Sequence, residues 1–98
     1  MNKEQITAIL EKNRKEIHAF HVRALYLFGS VARDEAKEAS DVDLLVEFES
    51  EAHIGLFEFA RLQRMLSNML GCEVDLATPD SLHRSLKRQI LEEAIHAV

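Results

Sequence analysis

Cysteine, proline and glycine are all scarce in this 98-residue chain, which has one cysteine, one proline and three glycines. A single cysteine cannot form an internal disulfide bond, so the chain is not a disulfide-rich secreted domain. The N-terminus lacks the basic stretch and apolar core of a signal peptide, and no apolar run approaches the roughly 20 residues of a membrane span. We therefore expect a cytoplasmic protein without a membrane segment.

Positive charge is also in short supply, and the net charge is −5. This balance argues against a protein that binds nucleic acid through its phosphates. Apolar residues make up 47% of the chain, which is typical of a single globular domain over residues 1–98. Eight acids and one lysine lie between positions 34 and 51, interrupted by apolar residues, so part of this acidic stretch must pack.

The periodicity of apolar residues predicts the order helix, strand, short helix, strand, helix, strand, helix. The predicted helices cover residues 3–17 with Asn2 as N-cap, 30–36 with Ser30 near its N-cap, 54–70, and 79 to nearly 98. The predicted strands cover residues 23–28, 41–48 and 74–77. Gly71 is expected to end the third helix. The fold class is α+β, with a small, mostly mixed sheet covered by helices.

Two helical stripes are expected to face the core. The third helix contributes Ile54, Phe57, Leu62, Met65, Leu66 and Met69, and the last contributes Leu82, Leu86, Gln89, Ile90 and Ala94. The last helix also carries a basic cluster, His83, Arg84, Lys87 and Arg88. Such a cluster is usually a solvated face, and the alternative is a docking site for an acidic partner or for phosphate.

Two carboxylates, Asp41 and Asp43, are spaced so that they share one face of a predicted strand. On an otherwise apolar strand they would repel each other, and a hard divalent cation such as Mg²⁺ would relieve the repulsion. The alternative is that both acids are simply solvated where the strand begins. Asp75 lies in a second short apolar strand and would complete a triad of carboxylates if the two strands are neighbours.

A possible phosphate site follows the first predicted strand. Gly29 would let a phosphate approach the backbone, and Ser30 opens a short helix whose N–H groups are free to donate. Arg33, one turn later, could reach the same phosphates. Taken alone, the Gly-Ser pair is more often a turn with a capping serine, and Arg33 an ordinary surface residue.

The combination of these motifs resembles a known family. Gly29-Ser30, ten further residues and Asp41-Val42-Asp43 are similar to the signature of the polymerase-β-like nucleotidyltransferases, and the surrounding stretch resembles their minimal, or MNT, branch. Residues 73–76 resemble the strand with that family's third carboxylate. One departure is Asp34, where relatives often have glycine.

The resemblance implies a polymerase-β-like fold and Mg²⁺-dependent transfer of a nucleotide from an NTP to a hydroxyl. It implies that Asp41, Asp43 and Asp75 hold two Mg²⁺ ions and that Gly29, Ser30 and Arg33 bind the phosphates of ATP. MNT proteins are typically paired with a HEPN ribonuclease toxin, so the implied function is an antitoxin that transfers AMP to a toxin tyrosine within a hetero-oligomer. The alternatives are an antitoxin that acts by binding alone and a small-molecule nucleotidyltransferase.

Overall fold

The computed structural model of the protein describes residues 2–33 and 41–98. Its elements are α1 (Lys3–Lys12), α2 (Arg14–His18), β1 (Val22–Phe28), α3 (Gly29–Ala32), β2 (Val42–Phe48), α4 (Leu56–Leu70), β3 (Val74–Ala77), a 3₁₀ turn (Pro79–Ser81), α5 (Arg84–Glu93) and β4 (Ile95–His96). None of the helices in these two ranges is long and apolar enough to cross a membrane.

The four strands form one mixed sheet in the order β3-β2-β1-β4. Strand β1 is antiparallel to both of its neighbours, whereas β2 and β3 are parallel and are connected through α4. The three predicted strands are confirmed to within one residue at each end. Each is short and mostly apolar, and turn-forming residues follow β1 and β3: Gly29 in one case and Thr78-Pro79 in the other.

The hydrophobic core lies between one face of the sheet and the helices α1, α2 and α4. The sheet contributes alternate residues from β1, β2 and β3, and all of the main contributors are buried: Leu25, Leu27, Val42, Leu44, Val46, Val74 and Leu76. The helices contribute Ile6, Leu10, Ile17, Leu62, Leu66 and Leu70. Because side chains alternate along a strand, the residues between these positions face the other side of the sheet.

The first predicted helix is confirmed at its start but is interrupted. Asn2 caps α1 through its side chain, which accepts the N–H of Gln5 at 2.8 Å. Asn13 then leaves the helical conformation, and its side chain donates to the carbonyl of Ile9 at 2.8 Å. Since asparagine readily competes for backbone hydrogen bonds, the single helix predicted over residues 3–17 is divided into α1 and α2.

Helix α4 begins two residues later than predicted, with Gly55 as its N-cap, and ends as predicted at Gly71, whose φ is +71°. Its buried stripe is Leu62, Leu66 and Leu70. The placement of Phe57 on that stripe was wrong, because a residue five positions before Leu62 lies about 140° around the helix axis. Phe57 is 83% exposed.

The prediction of one long helix after Thr78 was also wrong. The Thr78-Pro79 pair starts only a 3₁₀ turn, and Leu82 and His83 are extended before α5 begins at Arg84. The chain leaves α5 at Ala94 and forms β4, an edge strand the sequence did not predict. No residue of α5 is buried, so the predicted core-facing stripe on this helix is not present.

The predicted helix over residues 30–36 begins at Gly29, with Phe28 rather than Ser30 as its N-cap. The second half of that prediction, which includes Asp34, lies outside the described residues.

Candidate active site

The predicted carboxylates lie at the end of the sheet where β1 ends and β2 and β3 begin. Asp43 in β2 is in register with Phe28 on one side and with Asp75 on the other. The N–H of Val42 donates to the carbonyl of Glu73 at 3.0 Å, which fixes the start of β2 against the chain entering β3. The fold therefore brings Asp43 and Asp75, 32 positions apart in sequence, to adjacent positions on neighbouring strands.

Both carboxylates project from the face of the sheet that is opposite the core. Their strand neighbours Val42, Leu44 and Val74 are buried in the core, so the alternation of side chains directs Asp43 and Asp75 the other way. Asp41 precedes β2 by one residue and lies two positions before Asp43, a spacing that places two side chains on the same face of a strand. Asp43 is half-buried, whereas Asp41 and Asp75 are exposed, so the cluster is open to solvent.

The carboxylates of Asp41, Asp43 and Asp75 carry like charges and repel one another. Burial, followed by the charges of Asp75 and Asp41, raises the pKa of the Asp43 carboxyl above its ordinary value, and the nearby charge of Arg33 opposes that rise. The pKa of Asp43 is affected because this residue lies in β2, between β1 and β3, and is the least exposed of the three aspartates. An ionised Asp43 is therefore destabilised in the absence of a cation.

The donor set suits a divalent cation. Carboxylate oxygens are the ligands that Mg²⁺ prefers, and a cation would reverse the repulsion that raises the pKa of Asp43. Within residues 2–33 and 41–98, no three or more histidine, cysteine, aspartate or glutamate side chains form a group that could hold a metal ion as they stand. The side chains of the three aspartates would have to converge on the ion when it binds.

Gly29 lies directly against Asp43. Its φ is +76°, and a Cβ atom built on it would be 3.0 Å from Asp43 Cγ and would overlap Asp43 Oδ2. Both the backbone conformation and the space therefore favour glycine here. Ser30 follows as the second residue of α3 and is half-buried. The loop predicted to bind phosphate is thus in contact with the predicted metal site.

Arg33, at the end of α3, connects the site to the last helix. Its Nη1 atom is 3.1 Å from Glu93 Oε2, in an ion pair that spans 60 positions of sequence. The other carboxylate oxygen of Glu93 accepts a long hydrogen bond of 3.5 Å from Gln89. Sequence reasoning identified Arg33 but missed Glu93, because a single glutamate near the end of a helix carries no recognisable signal.

Comparisons with known proteins identify the family of this chain. Residues 5–97 match the sequence model of the nucleotidyltransferase domain family. The chain is 40% identical over 94 residues to the protein adenylyltransferase MntA of Thermococcus cleftensis, covering 95% of this chain and 93% of that protein. A solved structure assigned as a minimal nucleotidyltransferase is 39% identical, with a TM-score of 0.81 and coverage of 97% and 95%.

A more distant structural neighbour has the same fold. It belongs to a complex of a tri-AMPylated HEPN toxin from Shewanella oneidensis with an MNT antitoxin, at 20% identity, with a TM-score of 0.67 and coverage of 95% of this chain and 71% of the other. The polymerase-β-like fold expected from the sequence is confirmed by the mixed sheet and by these neighbours. On the family match and the 40% identity, the chain belongs to the nucleotidyltransferase domain family and is a nucleotidyltransferase.

Proposed function

We propose that this protein is an antitoxin that transfers AMP from ATP to a tyrosine hydroxyl of a cognate HEPN ribonuclease toxin. The observation that carries the proposal is the juxtaposition of Asp43 with Asp75 and with Gly29 at one end of the sheet. The identity of the acceptor is supported by the 40% identical protein adenylyltransferase and by the AMPylated HEPN toxin bound to the structural neighbour.

In the proposed reaction the acceptor oxygen attacks the α-phosphorus of ATP and the bond to the β-phosphate oxygen breaks, so pyrophosphate leaves and AMP stays on the acceptor. Asp41 and Asp43 would hold two Mg²⁺ ions, with Asp75 completing the set on the acceptor side. Bound Mg²⁺ would lower the pKa of the attacking hydroxyl and neutralise charge on the leaving group.

The chain's own residues would bind and orient the substrates. The backbone at Gly29 and the hydroxyl of Ser30 would donate to the phosphates of ATP, and Arg33 would place a positive charge beside them. Asp75 is exposed at the edge of the cluster, where it can accept the proton of the incoming hydroxyl. The reaction would take place in the cytoplasm, where ATP and the toxin are both made.

The test is a transfer assay with the product of the neighbouring gene, which the proposal predicts to be a HEPN protein. The two purified proteins are incubated with Mg²⁺ and α-labelled ATP, and the HEPN protein is then analysed by intact mass and peptide sequencing. We expect AMP on a tyrosine, and the Asp43→Asn variant should transfer at least about 10³-fold more slowly. Asp80→Asn, which removes an exposed carboxylate on the 3₁₀ turn, is the matched control and should transfer at the wild-type rate.

The same assay separates the alternatives. A tight complex with no transfer, and protection of cells from the toxin by Asp43→Asn, would indicate an antitoxin that acts by binding alone. Transfer of AMP to small molecules but never to the HEPN protein would indicate the third possibility that the sequence left open, a small-molecule nucleotidyltransferase.

A further inference from the structure

The backbone of Arg33 is fixed more firmly than its guanidinium. Arg33 follows the four-residue helix α3 as its C-cap, and its N–H donates to the carbonyl of Gly29 at 3.2 Å. The guanidinium, however, lies at the end of a long and flexible side chain. Such a side chain samples many rotamers in water, so another group has to hold it if the guanidinium is to stay in one place.

Glu93 holds the guanidinium of Arg33 through an ion pair. Its Oε2 atom accepts from Arg33 Nη1 at 3.1 Å. The Arg33 and Glu93 side chains are 41% and 30% exposed, whereas those of the Arg88–Glu92 pair on α5 are 90% and 67% exposed. Because solvent screens the first pair less, it restrains its partners more than an ordinary surface pair does.

The position of Glu93 is set by the strand that follows it. Glu93 is the last residue of α5, and two residues later Ile95 of β4 is paired with Leu27 of β1. Strand β1 leads directly into α3, and α5 contacts α3. The pairing of β4 with β1 therefore brings the end of α5, and with it Glu93, to the end of the sheet where Arg33 lies.

Glu93 places a negative charge beside an arginine that is proposed to bind phosphate. ATP is itself negative, and Asp41, Asp43 and Asp75 already make this end of the sheet acidic. By charge alone, a further carboxylate would weaken the binding of ATP. A guanidinium has five N–H donors in a rigid plane, so it can bridge a carboxylate and a phosphate. The carboxylate of Glu93 therefore costs some attraction for ATP but directs the guanidinium.

We propose that Glu93 is a positioning residue that holds the guanidinium of Arg33 where it binds the phosphates of ATP. This inference rests on the proposed function, in which Arg33 contacts those phosphates. Two other roles of Glu93 have different consequences. If Glu93 competed with ATP for Arg33, removing its carboxylate would strengthen ATP binding. If the ion pair only joined α5 to α3, removing it would change stability and leave ATP binding unchanged.

The experiment measures nucleotide binding by the full chain without an acceptor. The probe is α,β-methylene-ATP with Mg²⁺, whose α–β linkage resists cleavage, and its Kd is measured by calorimetry. The variants are Glu93→Ala, Arg33→Ala and the double variant, since alanine is compatible with the helical conformation at the end of α5. The matched control is Glu92→Ala, which removes the carboxylate of the exposed ion pair on the same helix. Urea denaturation establishes that each variant is folded under the conditions of the binding measurement.

Arg33→Ala should raise the Kd by about tenfold or more, as expected for the loss of a hydrogen bond between charged groups. Glu93→Ala should raise it by about threefold to tenfold, because the guanidinium is still present but has to be immobilised when ATP binds. In the Arg33→Ala background, Glu93→Ala should leave the Kd unchanged or lower it, because only the repulsion between the carboxylate and ATP is then lost. Glu92→Ala should bind within about twofold of wild type.

A Kd for Glu93→Ala at or below the wild-type value would overturn the proposal. Wild-type affinity in Arg33→Ala would also overturn it, since Glu93 would then have nothing to position. Equal weakening by Glu93→Ala with and without Arg33 would mean that Glu93 acts on the nucleotide by another route, which again contradicts the proposal.

The transfer assay provides a second measurement that separates this inference from the proposed function. Glu93→Ala should raise the KM for ATP and leave the KM for the HEPN protein within about twofold of wild type. Failure of the wild type to transfer AMP to the HEPN protein would overturn the proposed acceptor alone. The binding comparison contains no acceptor, so it would still decide the role of Glu93.

Discussion

The carboxylate of Asp43 occupies the space in which a side chain at Gly29 would have to stand. Gly29 begins α3 directly after β1, Asp43 lies near the start of β2, and Gly29 has a left-handed φ of +76°. A side chain at position 29 would have to displace the Asp43 carboxylate, which we propose to be a metal ligand, from its place beside the loop proposed to bind phosphate. The contact couples the conformation of the loop to the position of the proposed metal ligand.

Replacing Gly29 by alanine should therefore slow transfer strongly by displacing Asp43. The methyl group would overlap Asp43 Oδ2 and strain the backbone at the same time. We expect a loss of about 1–2 kcal/mol in the free energy of unfolding from the backbone term, and a loss of at least about 10²-fold in kcat from misplacement of the carboxylate. Chemical denaturation and the AMP-transfer assay measure the two effects.

Gly71→Ala is the matched control. Gly71 also has a left-handed φ, +71°, but a Cβ atom there would have no neighbour within 4 Å. This variant should lose about 1–2 kcal/mol of stability, because the backbone strain is the same, and should keep wild-type transfer. Equal transfer rates for the two alanine variants would show that the contact with Asp43 does not matter.

Asp43→Asn should stabilise the metal-free protein at neutral pH. Because the pKa of Asp43 is higher in the folded state than its ordinary value of 3.8, the folded state binds more protons between these two values. Stability therefore falls as the pH rises through that window, and the full cost of the ionised carboxylate is present above it. Asparagine removes this cost, so the free energy of unfolding of Asp43→Asn should exceed that of the wild type by the largest amount at neutral pH.

The advantage of Asp43→Asn should disappear below about pH 4, where the wild-type carboxyl is protonated in both states. Denaturation in a chelating buffer across this range measures the difference. A constant difference between variant and wild type at all pH values would mean that it comes from packing and not from ionisation. Asp80→Asn provides the reference for removing a carboxylate from an exposed turn.

The parts of the fold that the sequence predicted are those with strong local signals. The strands around Leu25, Leu44 and Val74 are short, mostly apolar segments, and the end of α4 is marked by Gly71. Helix α5 was predicted incorrectly because its apolar residues have a helical period whether they face a core or solvent. The sequence contains no local information on which of these occurs.

The sequence predicted which residues are candidates for the site but not how they are arranged. The spacing of Asp41 and Asp43 predicts a shared face, and that follows from strand geometry alone. The register of Asp43 with Asp75, and the contact between Asp43 and Gly29, depend on how the strands pair. Such pairing is a tertiary property, so it could be inferred only through the resemblance to a family.

Divalent cations should stabilise the wild-type protein and not the carboxylate variants. A bound cation would relieve the repulsion that Asp41 and Asp75 exert on Asp43. At a Mg²⁺ concentration of about 100 times its Kd, the stabilisation should be about 2.7 kcal/mol. Thermal melts with Mg²⁺, compared with melts in Na⁺ at equal ionic strength, measure it. Equal stabilisation of wild type and Asp43→Asn would remove Asp43 from the proposed ligand set.

Arg33 should set the acidic limit of the pH–activity profile through its charge. Arg33 lowers the pKa of Asp43 against the effects of burial and of the other two carboxylates. Removing the charge in Arg33→Gln should raise that pKa further, so that the acidic limb of kcat/KM moves to higher pH. Arg33→Lys keeps the charge and should leave the limb near its wild-type position, even if the geometry of phosphate binding changes. Because Arg33 also pairs with the carboxylate of Glu93, the control variant Glu93→Gln is measured in parallel.

Glu93→Gln should lower stability by no more than about 1 kcal/mol, as expected for a partly exposed ion pair, without moving the acidic limb to higher pH. A limb that shifts equally in Arg33→Gln and Arg33→Lys would mean that the position of the guanidinium, and not its charge, controls Asp43.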